Sequence, residues 1–190
     1  KKYRNKKNKS WNQGKRIKTL VEENKQSERQ KRKSELDALQ AQINPHFLYN
    51  TLDSIVWMGE AGKNKEVVKM TSSLAKLFRI SINKGREYIT LGQEIEHVES
   101  YLVIQQMRYG DKLSYKIEVE QDLLSTRIIK ILLQPIIENA IYHGIKKLSG
   151  EGLIQIRAFK KQDEKTGDYF LTIEIEDNGP GIDELILKKI

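Results

Sequence analysis

Between residues 36 and 56 the apolar positions recur at helical spacing on two stripes: Leu36, Leu39 and Ile43, then Leu48, Leu52 and Ile55. At about 100° per residue the second stripe is centred nearly opposite the first, and Pro45 sits where the phase changes. His46 lies at that break, roughly 150° away from the Leu48, Leu52 and Ile55 stripe, and so points toward solvent or a second domain. Upstream, residues 17–32 are rich in Glu, Lys, Gln and Arg, with Ile17, Leu20 and Val21 as the apolar points. The pattern predicts a long helix over 17–58, bent near Pro45.

Gly59 and Gly62 end that helix, and a second is expected over 65–82, with Val67, Met70, Leu74, Leu77, Phe78 and Ser81 at helical spacing. So short a connection makes residues 36–83 a helical hairpin. Two helices bury too little surface to stand alone, so two hairpins are expected to pair into a four-helix bundle, making the chain a homodimer. After a break at 83–88, Thr90-Leu91-Gly92-Gln93 supplies a capping box, with Thr90 as cap and Gln93 reaching back. Leu91, Ile95, Val98, Leu102 and Gln105 mark the buried stripe of the helix that follows, and Gly110 stops it. His97 falls off that stripe and reads as a surface histidine.

The period then shortens to two. Leu113, Tyr115, Ile117 and Val119 alternate with Ser114, Lys116, Glu118 and Glu120, as in a half-buried strand. The apolar run 128–145 has the length of a helix, although Pro135 suits a first turn better than a middle one. Two more alternating strands, 153–159 and 169–176, are joined as a hairpin through Lys165-Thr166-Gly167-Asp168. The fold class is α+β.

At 190 residues and 38% apolar, the chain has room for one medium domain or two small ones with modest cores. The absence of cysteine excludes a disulfide framework or thiolate metal site and fits a reducing, cytoplasmic setting. His46, His97 and His143 are too widely spaced to suggest a ligand cluster. No run approaches the roughly 18 apolar residues of a membrane span. The net charge of +8 is uneven: residues 1–33 carry 14 Lys and Arg against 3 acids, and the other 157 residues carry 20 against 23. This basic tail lacks a nucleic-acid recognition pattern, with Tyr3 and Trp11 alone as interleaved aromatics, so no nucleic-acid partner is expected. A basic segment also follows a transmembrane helix on its cytoplasmic side, where it meets anionic lipid.

Asn44-Pro45-His46-Phe47, followed by Leu48-Tyr49-Asn50-Thr51-Leu52, closely resembles the phosphoacceptor box of the LytS/YesM-type sensor histidine kinases of bacterial two-component systems. The resemblance implies that His46 receives a phosphoryl group from ATP, and it requires an ATP site elsewhere in the chain. Around 134–144, Asn139 and His143 stand four residues apart on one helix face beside Glu138, with Ile137, Ile141 and Gly144 toward the other side. Asp177-Asn178-Gly179-Pro180-Gly181 follows the last strand. An aspartate at a strand end can accept a hydrogen bond from an exocyclic amine such as adenine N6, and Gly179 and Gly181 let the backbone approach a flat ring. Together these stretches resemble the N box and G1 box of the GHKL, or Bergerat-fold, ATP-binding domain. That resemblance implies Asn139 as the Mg²⁺ ligand, Glu138 and His143 as polar groups at the phosphate end, and Asp177 as the adenine reader.

Taken whole, the resemblance implies a basic juxtamembrane and signalling segment over 1–33, a dimerising phosphoacceptor domain over 34–83 and an ATP-binding α/β sandwich over 84–190. The chain is then the cytoplasmic portion of a bacterial cell-membrane kinase whose transmembrane sensor region lies upstream and whose phosphoryl group passes to a response regulator. Ile129 stands where the family commonly has proline, Tyr142 where other histidine kinases often carry a basic residue, and Phe47 where many carry an acid able to take the imidazole proton. Asp53 lies about two turns along from His46, too far for direct proton transfer within one helix. Ile190 precedes the glycine-rich G2 box and ATP lid of the family, so the sandwich is expected to be incomplete and this chain inactive alone, with weak ATP binding. The rival expectation is a non-catalytic dimeric signalling scaffold.

Overall fold

The structure, a computed structural model, describes residues 16, 25, 28, 45–81 and 87–181. The chain divides into two compact units, Lys1–Leu48 and Tyr49–Ile190. In the first, Arg16, Lys25, Glu28 and the opening of helix α1 (Pro45–Glu60) are helical. The basic tail, the Leu36, Leu39 and Ile43 stripe and the rest of the expected helix ahead of Pro45 lie outside the described residues, as do most of the break at 83–88 and residues 182–190.

Helix α1 ends as its glycines predict. Gly62 has φ +71°, its amide bonds Gly59 O at 3.0 Å, and the Lys63 amide bonds Met58 O at 2.9 Å. These two bonds and the left-handed glycine form a Schellman cap, which frees the chain to start α2 (Asn64–Ser81) almost at once. Met70, Leu74, Leu77 and Ser81 are buried along α2, and its main helical partner is α3 (Leu91–Tyr109). The start of α3 carries the predicted capping box, with the Gln93 amide bonding Thr90 Oγ1 at 3.2 Å and the Thr90 amide bonding Gln93 Oε1 at 3.1 Å. Gly110 ends it, donating its amide to Gln106 O.

The apolar run 128–145, which has the length of a helix, turns helical only where Pro135 can sit in a first turn. Arg127–Ile129, ahead of it, is a short strand, β3, paired antiparallel with β1 (Tyr88–Thr90) so that Ile89 faces Ile128. Helix α4 begins only at Gln134, with Pro135 in its first turn. Cross-strand pairing claims 127–129, and Ile128 joins Leu91, Leu123 and Ala158 in a buried cluster.

One expectation is overturned: His97, expected at the surface, is fully buried. Helix α3 is covered on more than one side, and the face carrying His97 and Ser100 is enclosed along with the predicted stripe. Ser81 Oγ donates to Leu77 O at 2.8 Å, so its lone pair accepts from His97 Nε2 at 2.8 Å, leaving Nδ1 buried without a partner among the described residues. Burial, with the Lys130 charge adding, pushes the imidazole down to about 4 from its ordinary 6.5. Between those values the unfolded chain binds the extra proton, so stability is full above the unfolded pKa and is lost as pH falls toward the folded one. Acidification from about pH 7 to about pH 5 is therefore expected to cost about 2 kcal/mol, and His97→Gln to flatten that slope. Urea melts across the window check it, and an unchanged slope in the variant would assign the effect to another group.

A three-stranded sheet completes the second unit. β2 (Leu113–Val119) runs parallel to β4 (Gly152–Gln162), which pairs antiparallel with β5 (Tyr169–Asp177). The parallel pair requires a crossover, and the segment carrying β3 and α4 supplies it. One sheet face buries Leu113, Ile154, Ile156 and Ala158, while the other carries the ion pairs of Lys116 with Glu118 and of Arg157 with Glu174 and Glu176. The helices cover the first face, giving a helix-on-sheet α+β arrangement.

Candidate functional site

The end of β5 and the segment starting at α4 build the site. Asp177 is in register with the fully buried Ile154, so it belongs to the helix-covered face of the sheet and stands at its exposed rim. The next residue pins the loop to the start of β4: Asn178 Oδ1 accepts from the Leu153 amide at 2.8 Å, and Nδ2 donates to Glu151 O at 3.1 Å. Asp177 Oδ1 accepts from the Gly179 amide at 2.8 Å, a turn that aspartate favours. Gly181, at φ +73°, continues the turn.

On the other side α4 (Gln134–Asn139) widens into a π-helical stretch over Ala140–Gly144 and tightens over Ile145–Lys147. Ile137, Ile141 and Gly144 are buried as their spacing predicts, and Asn139 and His143 are exposed. Half-buried Glu138 accepts from Gln134 Nε2 at 2.7 Å. The two stretches meet at Gly144. A Cβ there would stand 2.6 Å from Asp177 Oδ1, and a Cβ on Gly179 would stand 2.5 Å from Gly144 Cα. Position 179 therefore requires glycine, a side chain at 144 would push the Asp177 carboxylate aside, and the absent side chains let that carboxylate and the backbone at 179 lie directly against the helix.

Comparison with known proteins assigns the family. The histidine kinase family model matches residues 34–113. Sensor histidine kinase YesM of Bacillus subtilis is 39% identical over 174 residues, 92% of this chain and 29% of that protein. Sensor histidine kinase BtsS of Escherichia coli is 37% identical over 156 residues, 80% of this chain and 27% of that protein. Sensor protein LytS of Bacillus cereus is 32% identical over 158 residues, 83% of this chain and 26% of that protein. The chain belongs to the LytS/YesM-type sensor histidine kinases. It spans between a quarter and a third of the length of these relatives.

In this histidine kinase segment His46 is exposed near the start of α1, within the first unit, whereas Glu138, Asn139, His143, Asp177, Gly179 and Gly181 all belong to the second. Among the described residues no group of three or more His, Cys, Asp or Glu side chains could cage a metal. The exposed Asn139 amide oxygen suits Mg²⁺, which keeps several waters and takes its remaining ligands from phosphates. Tyr142 is not without a cation, because Lys146 Nζ sits 4.0 Å from its ring centroid and 5.6 Å from that of Tyr109. Buried Tyr101 accepts from Gln105 Nε2 at 2.7 Å, and its hydroxyl is held above the ordinary phenol range by burial first and the Glu138 charge second.

Three further residues shape the site. Asn178 fixes the loop, and Glu94 and Lys130 lie under the approach to α4. Glu94 was legible in principle, because at 100° per residue it falls in phase with Leu91, Val98 and Leu102, a place for an acid only if buried partners receive it.

Proposed function

We propose that this segment is the cytoplasmic phosphoacceptor and ATP-binding portion of a membrane sensor kinase. The γ-phosphoryl of ATP moves to an imidazole nitrogen of His46: an N–P bond forms as the bond to the bridging β–γ oxygen breaks, ADP leaves, and the ring proton passes to solvent or a base. The phosphoryl group then goes to an aspartate of a response regulator. Carrying this reading is the direct contact of Gly144 with Asp177 and Gly179, which joins the N-box helix to the G1 loop at one place. Asp177 would read adenine, Gly179 and Gly181 would admit its ring, and Glu138, Asn139 and His143 would face the phosphates in a Bergerat-type sandwich. Mg²⁺, held by Asn139 and the phosphates, would neutralise charge on the transferring group.

The test is incubation with γ-labelled ATP of a form extended C-terminally to match the relatives. Protein-bound phosphate lost in acid but stable in base marks a phosphoramidate, and its absence contradicts the proposal.

The same reading makes the hairpin the dimerisation element. Tyr49, Leu52, Val56 and Trp57 are exposed on α1, with Leu52 at 44% and Trp57 at 60%, an apolar surface larger than isolated exposed residues present. A second hairpin would cover it as a four-helix bundle. Sedimentation is expected to show a dimer, and Leu52→Glu with Val56→Glu to raise its dissociation constant by at least about 100-fold, from about 1.5 kcal/mol lost per side chain. A folded wild-type monomer at micromolar concentration would contradict the bundle.

A further inference from the structure

A connected set of polar groups runs beneath the site, from the last residue of α2 to the start of α4. The Ser81 carbonyl, at the C-terminal end of α2, accepts from the Lys130 ammonium, and the Ser81 hydroxyl accepts from His97. Lys130 ends the β1–β3 ribbon, its amide bonding Glu87 O at 3.0 Å. Next comes Ile131 at φ +58°, a left-handed conformation that a β-branched residue adopts at a cost. The fully buried Glu94 holds it there: its two carboxylate oxygens accept from the Ile131 amide at 2.9 Å and the Leu133 amide at 2.9 Å. Leu133 directly precedes α4, the helix that carries Glu138 and Asn139.

A packed hydrophobic corner would make the same turn without burying a carboxylate. Burial raises the Glu94 pKa, a tendency opposed by those backbone amides and by the charge of Lys130. Lys130 is lowered by burial and supported by Glu94. Each group is tolerable because the other is in place, and Lys130 divides its contacts between α2 and this corner. Loss of the carboxylate contacts would release Ile131 to negative φ and change the direction in which the chain enters α4.

We infer that Glu94 is a positioning residue for the N-box helix, and that Lys130 makes this positioning depend on where the end of α2 lies. The inference rests on the nucleotide-site reading of 134–144 with 177–181. Displacement of the last turn of α2 withdraws the Ser81 carbonyl from Lys130, loosens the 131–133 corner and so shifts Asn139. The hairpin that carries the phosphoacceptor is thereby linked to the nucleotide site through the chain's own buried groups.

Amide hydrogen exchange on the 190-residue chain tests the linkage without nucleotide, with sheet amides such as Ile156 and Thr172 as the folding control. Glu94→Gln is expected to speed exchange at Leu133 and along α4 at least tenfold while the sheet amides hold. Ile80→Gly, which loosens the last turn of α2 and so the placing of the Ser81 carbonyl, should speed exchange there several-fold in the wild-type background and not in Lys130→Met, and Lys130→Arg should restore the sensitivity. An equal effect of Ile80→Gly in both backgrounds, or none in either, would overturn the relay. If Glu94→Gln fails to fold, Glu94→Asp with the Lys130 variants decides the same point. Titration with Mg-ATP of a form extended C-terminally to match the relatives, followed on the Gly144 and Gly179 amide resonances, separates the two levels. Shifts in wild type that weaken at least tenfold in Lys130→Met support the positioning role. Shifts identical in wild type and Lys130→Met overturn it. No shift in wild type overturns the nucleotide reading and this assignment with it, even where the exchange linkage holds.

Discussion

Alanine at position 179 is expected to remove most of the affinity for Mg-ATP of a form extended C-terminally to match the relatives, while leaving the sheet and helices folded. The added Cβ would meet Gly144 Cα at 2.5 Å and Asp177 Oδ1 at 2.6 Å. The first of these is backbone on the buried side of the N-box helix and cannot rotate away, so the loop and the helix must separate. Overpacking of this kind costs about 1–3 kcal/mol, which is roughly 5- to 150-fold in affinity if it falls wholly on the site. Gly144→Ala should act more narrowly. Its φ of −90° lies outside the left-handed region that favours glycine, and its Cβ chiefly displaces the Asp177 carboxylate, the group assigned to adenine. The two variants should therefore differ: Gly144→Ala loses adenine discrimination against guanine nucleotides, whereas Gly179→Ala loses binding generally. Calorimetry or amide titration with both nucleotides decides this, and unchanged affinity in both variants would mean that the ligand does not approach this junction.

Local signals are legible in the sequence where one or two residues settle the backbone. Thr90 and Gln93 cap α3 reciprocally, and Gly62 and Gly110 end helices, because each satisfies terminal groups within a few residues. The alternating strands were equally plain, since one sheet face is buried and the other carries ion pairs. Long-range partners were not legible. Nothing within 128–145 announces that Ile128 and Ile129 pair with β1, because a short apolar run fits helix or strand until a second strand is placed beside it. His97 was lost for a related reason: a single buried stripe is the wrong expectation for a helix covered by α2 as well as by the crossover segment. At the site the residue types were visible as two boxes, but the contact between Gly144 and Asp177 spans 33 positions, and only the folded chain brings them together.

His46→Gln is expected to abolish phosphoryl acceptance entirely while the dimer and Mg-ATP binding persist. His46 is exposed near the start of α1, His97 is fully buried with its imidazole pushed down to about 4, and His143 lies on the segment assigned to the phosphates. One histidine of the three is therefore presented as a substrate. Asp177→Asn should also abolish labelling, but by weakening adenine binding, so in a mixed dimer its intact His46 could still be labelled by a wild-type partner if transfer crosses between subunits. The most direct measurement follows label from γ-labelled ATP into wild-type and His46→Gln forms extended to match the relatives, with acid and base stability read on the product. The account predicts acid-labile, base-stable label in the wild type and none in His46→Gln. Acid-labile label that persists in His46→Gln, or label that is stable to acid in the wild type, would contradict it.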